Sequence, residues 1–218
     1  MAGPVIPERY RQALGADDPL KAMFEAPQAL RRLVKGLTEK QLAKSPAPGK
    51  WSIRQIVAHL ADGEVILGSR YRFIAAHDRP AIPGYDQDLF VERLGVENAT
   101  TVEGRADCEM ARAANPGPLS RPPDASLDRV GVHSERGEES IWTIVTHYAG
   151  HDRVHLEQIE TIRTGLFPPG RKGGKKAAKK APARKPAAAT PVKKAPAKTK
   201  AVAKPAKKAP AKKAAKRK

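Results

Sequence analysis

Three histidines, His147, His151 and His155, stand four residues apart in the run IWTIVTHYAGHDRVHLEQIETIRTGLF, and a fourth, His59, lies in WSIRQIVAHLADGEV. On a helix, a spacing of four stacks side chains along one face. Two imidazoles at i and i+4 can converge on one ion, and a third from a facing helix would complete a three-histidine site with an open position for water. The candidate ligands are therefore His59, His151 and His155, with His147 read as a fourth ligand, a supporting group or a surface side chain. No thiolate enters the pattern, so a borderline divalent ion such as Zn, Ni or Fe suits it better than Mg or Ca. Spacing alone leaves the ordinary reading open, since histidines on helix faces are commonly satisfied core or solvent-facing groups.

The elements that must position these groups read as helices. Leu20, Met23, Phe24, Ala26, Leu30, Leu33, Val34 and Leu37 recur at spacings of three and four, which predicts a first amphipathic helix over 19–37, its start shifted by Pro27. SPAPGK then marks a loop. Ser52 is placed to cap a second helix over 53–76, burying Ile56, Leu60, Leu67, Tyr71 and Ile74, with Ile53, Val57 and Phe73 flanking. RPAIPGYDQDLFVERL reads as a loop and a short helical turn. Thr100 or Thr101 can cap a third helix through VEGRADCEMARAAN, but residues 104–126 are poor in leucine and rich in proline, arginine and glycine, which predicts an incomplete wall that a homodimer partner would complete. In the final helix Ile141, Ile144, Val145, Tyr148, Val154, Ile159 and Ile162 recur, with Ser140 as cap and Gly165 and Pro168 as stop. No β-ribbon, βαβ rhythm or internal repeat is evident, and helices joined by loops predict an all-α bundle.

Charge divides the chain. Residues 171–218 hold 20 Lys or Arg, 16 Ala and 6 Pro with no acidic or aromatic residue, against a formal charge of +18 for the whole, so residues 1–170 carry 18 − 20 = −2. Such a segment repels itself and has nothing to bury, so it is expected to stay disordered and to bind DNA through phosphate contacts without reading sequence. Lys outnumbers Arg there 17 to 3, which suits backbone attraction better than bidentate base reading. The expected organisation is an extension over 1–18, a helical bundle over 19–168 and a Lys/Ala/Pro-rich tail over 169–218, similar to linker-histone tails. One cysteine, Cys108, permits no intrachain disulfide, and neither a leader pattern nor an eighteen-residue apolar span is seen, so the chain reads as cytoplasmic and, through its tail, nucleoid-associated.

The segments WSIRQIVAHLADGEV and YAGHDRVHLEQI resemble the second-helix and last-helix motifs of the DinB-like superfamily of four-helix bundles, and the similarity extends loosely over residues 19–168. The resemblance implies that His59, His151 and His155 are metal ligands, while His147 lies outside the family pattern. It also implies a metal-dependent enzyme that uses a low-molecular-weight thiol, a transferase or hydrolase in which the ion lowers the pKa of bound water or thiol. Tyr85, Asp86 and Asp88 resemble a family loop near the site opening, with a polar loop docked by one aromatic ring as the plainer reading. Asp62 reads as a supporting or solvent-facing group, and Glu64 as a surface charge. A non-enzymatic, DNA-associated protein with a structural or degenerate metal-binding bundle is the competing expectation.

Overall fold

The computed structural model describes residues 6–115 and 126–168. The proline-rich residues 116–125 and the basic tail lie outside the described residues, as does the expectation of disorder attached to that tail. The helices are α1 (Glu8–Leu14), α2 (Pro19–Val34), α3 (Glu39–Leu42), α4 (Ile53–Ala76), α5 (Gln87–Arg93), α6 (Thr101–Ala114) and α7 (Ile141–Leu166). The bundle is built from α2, α4, α6 and α7, with α4 lying along α6 and α2 along α7.

Two apolar clusters fill this bundle. One gathers Leu67, Tyr71 and Ile74 of α4 with Ile141, Ile144 and Val145 of α7 and Leu14 and Met23. The other gathers Ile53, Ile56 and Leu60 with Leu156, Ile159 and Leu30. Between them runs a buried polar layer, His59 and Glu64 on α4 and His151 and Asp152 on α7. The α4 pattern buries the expected face, and of the three flanking residues Ile53 and Val57 are buried while Phe73 is exposed, its ring beside His77 at the helix end.

Pro27 does not shift the start of α2. Asp18 accepts from the Lys21 amide and Pro19 sits at the first helical position, so the helix is nucleated before Pro27, which is carried inside it. Residues 8–14, set apart in the sequence as an extension, form α1, which lies on α7 and buries Tyr10 and Leu14. The approach is close at Gly150, where a Cβ would stand 2.3 Å from the Tyr10 carbonyl oxygen, so only glycine admits α1 there.

The third helix is firmer than its composition predicts. Thr100 and Glu103 form a reciprocal capping box, and the Glu39 carboxylate accepts from the Thr101 amide at 3.1 Å, so the first turn has partners for its free donors. Arg31 of α2 pairs with Glu109 at 2.6 Å. A few caps and ion pairs replace the missing leucines.

The expectation of no β-ribbon is corrected. Val130–His133 (β2) and Gly137–Ser140 (β3) pair antiparallel, and Ala81–Ile82 (β1) adds in parallel to β2, giving the order β1-β2-β3. Each strand has at most four residues, and β3 is GEES, so no apolar alternation betrays it. Gly137, at φ +79°, closes the hairpin in a conformation that side chains disfavour. β3 runs directly into α7 and so sets where that helix begins. No helix among the described residues is long and apolar enough to cross a membrane.

Candidate metal centre

Both histidine-bearing helices are fixed at their starts. Ser52 accepts from the Gln55 amide while the Gln55 side chain accepts from the Ser52 amide, and Ser140 accepts from the Thr143 amide at 3.0 Å. Trp51, the residue before the α4 cap, lays its ring against His59 at 5.0 Å and nearly parallel to His155 at 6.4 Å. On the other flank Tyr10 sits against His151 at 5.6 Å and against His147 at 5.0 Å.

The structure brings His59, His151 and His155 together, with one nitrogen from each lying within 4.8 Å of the others. The Nε2 atoms of His59 and His151 stand 2.9 Å apart. Donors around a tetrahedral Zn at ordinary Zn–N lengths are separated by about 3.3 Å, so the His59 and His151 nitrogens are within a few tenths of an ångström of the separation that one ion requires. His155 holds its Nδ1 against the Gln158 side-chain oxygen at 3.0 Å, which places the proton on Nδ1 and leaves the Nε2 lone pair free to ligate.

Electrostatics match this geometry. Burial, reinforced by repulsion from the neighbouring imidazoles, drives His59 down to about 2 and His155 to about 3. Both are neutral at pH 7, the form that ligates. The Nδ1 atoms of His59 and His151 are buried without hydrogen-bond partners. Three rings whose nitrogens converge gain from a cation between them, and among the described residues no carboxylate or thiolate joins the set. Such a donor set fits a borderline divalent ion. His147 is outside the cluster, half-buried against Tyr10 and lowered to about 4 by partial burial and by Arg136 and His151.

Glu64, expected on the surface, is 2 % exposed, because α6 covers that side of α4 and supplies it a partner. Arg112 of α6 donates its Nε to Glu64 at 2.6 Å and its Nη2 to Asp152 of α7 at 2.7 Å, and Asn115 donates to the same Glu64 carboxylate at 3.1 Å. The burial that would push Asp152 up is outweighed by the Arg112 charge, which holds its carboxyl below the usual range. Asp152 Oδ1 stands 3.8 Å from His151 Nδ1, so the α6 network ends beside a candidate ligand. Sequence reasoning missed Arg112 and Asp152, although Asp152 follows His151 directly and Arg112 is the lone cation of its helix's last turn.

Asp62 is half-buried, and its carboxyl is raised by burial and by Asp107, away from the imidazoles. Asp86 caps α5 by accepting from the Asp88 and Leu89 amides, and Asp88 is exposed in its first turn. Tyr85 packs against Phe90 at 4.9 Å, so the loop is docked by an aromatic ring.

Known proteins resemble this chain over the same region. A relative from Oceanobacillus iheyensis, provisionally named a metal-dependent hydrolase, is 28% identical over 144 residues, which is 65% of this chain and 81% of the relative. One from Geobacillus thermodenitrificans with the same provisional name is 24% identical over 161 residues, covering 66% and 82%. Among solved structures, YfiT from Bacillus subtilis, described as a provisional metal-dependent hydrolase with an unusual four-helix bundle topology, superposes with a TM-score of 0.64 at 22% identity, covering 76% of this chain and 93% of YfiT. The DinB superfamily model matches residues 23–159, more than half of the chain and all three clustered histidines, and the chain belongs to that superfamily.

Proposed function

We propose that this chain is a divalent-metal-dependent enzyme, a hydrolase or a thiol-using transferase, with His59, His151 and His155 holding the ion and residues 171–218 tethering it to DNA in the cytoplasm and nucleoid. The observation that carries the catalytic half is the convergence of three imidazoles within 4.8 Å, with no fourth protein donor in the cluster among the described residues. Three protein ligands leave a coordination position for water or substrate, the arrangement of catalytic rather than structural sites. A bound ion there supplies Lewis acidity and lowers the pKa of a water or thiol. The chain's own residues do the rest: Gln158 fixes the tautomer of His155, Trp51 and Tyr10 cover the rings from bulk water, and Asp152 stands behind His151. The provisional names of the relatives favour hydrolysis.

Metal content per chain tests this reading. Untagged native protein is expected to carry close to one zinc, nickel or iron per chain, the His59→Ala/His151→Ala/His155→Ala variant none, and His147→Ala the native amount. A folded native chain that takes up no divalent metal would overturn the reading. For the tail, removing residues 171–218 is expected to abolish most DNA affinity without altering metal content, and affinity of the full chain should fall steeply with salt. A truncated chain that keeps its affinity at physiological salt would contradict the tether.

A further inference from the structure

Arg70 is buried to 3% exposure in α4, yet among the described residues no carboxylate lies within salt-bridge distance of it. Its Nη1 donates to the Tyr148 hydroxyl at 3.1 Å and its Nη2 to the Pro83 carbonyl at 2.9 Å, while Nε is buried with no partner. Nη2 also stands 3.3 Å from His133 Nε2, but His133 already accepts from the Glu135 amide through Nδ1 at 3.1 Å, so its Nε2 carries the proton and offers no lone pair. Glu139, the buried carboxylate of this region, is held by both Nε and Nη2 of Arg136. Arg112 is buried in the same protein with two carboxylates around it. A buried guanidinium ordinarily has such partners, because an uncompensated charge is costly to bury.

We propose that the seam of α4 and α7 beside Gly63, beyond the three histidines, is a subsite for a carboxylate of the substrate, with Arg70 as its counter-charge. The inference rests on the metal-dependent reading, for it places the carboxylate at the far end of a substrate whose reacting end faces the ion. His59, Gly63 and Arg70 fall along one stripe of α4. At Gly63 there is room beside the helix, since a Cβ there would meet only Tyr148 Cε1 and the Tyr85 hydroxyl within 4 Å, both at an unstrained 3.9 Å. Tyr148 then bridges the two ends, its ring 5.3 Å from His151 and its hydroxyl on Arg70. Arg70 is eleven residues beyond His59, and a long helical side chain leans back toward the N-terminus, so the guanidinium stands on the order of 10 Å from the imidazoles.

The chemistry selects a carboxylate. One guanidinium with a free Nε–H compensates one negative charge and fits a planar two-oxygen acceptor, whereas a phosphate would leave a second charge uncompensated. Burial raises Tyr85 and Tyr148 above the usual phenol range, so both remain protonated and can donate. Asp62, the acidic group facing Tyr85, is itself raised by burial and so least costly to place beside an incoming anion.

The test is calorimetric binding of 6-mercaptohexanoate and its uncharged amide, 6-mercaptohexanamide, to the full chain with zinc and after metal stripping, in high salt to quiet the basic tail. The native chain is expected to prefer the carboxylate by about tenfold or more, the range of a charge-assisted pair. Arg70→Met is expected to bring the ratio to about one, and Arg70→Lys to keep part of it. Where Arg70→Met fails to fold, Gly63→Leu fills the room beside Tyr148 and Tyr85 with Arg70 intact and is expected to remove the preference. Equal native affinity for the two probes, or a preference that survives both variants, would overturn the subsite. Failure to bind zinc would sink the metal reading, and the preference in the stripped chain would still decide the role of Arg70.

Discussion

Arg112 donates its Nη1 to the carbonyl oxygen of Met23. That carbonyl is the one Pro27 leaves without its helical partner, because proline at position i has no amide proton to give residue i−4. A proline in α2 is thus tolerated because a guanidinium from α6 takes the place of its missing N–H. The same guanidinium neutralises Glu64 of α4 and Asp152 of α7, so one side chain joins all four bundle helices in the polar layer beside the metal centre.

Arg112→Met should therefore destabilise the protein by about 3–5 kcal/mol, since it leaves two buried carboxylates without a counter-charge. Adding Pro27→Ala restores an N–H for the Met23 carbonyl and should return about 1 kcal/mol. Urea unfolding of the two variants and their combination gives the coupling. If Pro27→Ala stabilises native and Arg112→Met chains equally, the substitution of guanidinium for amide is not the reason α2 tolerates its proline.

The histidines make a pH prediction whose sign is fixed. His59, His155 and His147 have folded pKa values of about 2, 3 and 4, all lowered first by burial. Unfolded, each titrates near the ordinary value of about 6.5. Between these limits the unfolded chain binds more protons, so stability of the metal-stripped protein rises with pH and is lost as pH falls below about 6.5, by at most about 1.4 kcal/mol per pH unit for each residue. The lowered carboxylates Glu39, Glu109 and Glu139 add their own losses only below about 4.5, and the raised Asp62 and Glu64 act with the opposite sign above it, so the histidine share is read by comparing variants. Unfolding curves from about pH 6.5 to about pH 4.5 should show His59→Gln with a shallower slope, and an unchanged slope would contradict the burial argument.

Excess zinc should stabilise the stripped chain by mass action, about 2.7 kcal/mol at a hundredfold excess over Kd. Thermal unfolding with and without zinc reads this directly. A gain of the same size in the triple histidine variant would place the metal elsewhere.

What could be read from the sequence was what periodicity carries. Ser52 and Ser140 cap the two histidine helices as their positions predict, and His59, His151 and His155 meet because an i, i+4 pair faces a core position on a neighbouring helix. What could not be read depends on partners distant in the chain. Glu64 looks like a surface charge until Arg112, 48 residues away, covers it, and α6 looks unfounded until Glu39 and Arg31 are placed against it. The hairpin of β2 and β3 was hidden for another reason: its strands are short and polar, and their order comes from β1 and the start of α7 rather than from their own side chains.

Two glycines of α7 separate close packing from mere helix composition. Gly150→Ala would put a Cβ 2.3 Å from the Tyr10 carbonyl oxygen, which belongs to backbone and cannot swing aside. α1 must then lift from α7, at a cost of about 1–3 kcal/mol for overpacking. Because Tyr10 covers His147 and His151, the same change should open that flank to water and increase the proton uptake of the histidines near neutral pH. Gly165→Ala meets nothing within 4 Å in the last turn of the helix, so it should be neutral or add about 0.5–1 kcal/mol from helix propensity. Urea unfolding gives the first pair of numbers, and histidine proton titration by NMR gives the second effect. If Gly150→Ala is as stable as Gly165→Ala and leaves the imidazole titration unmoved, α1 is not the cover of the site.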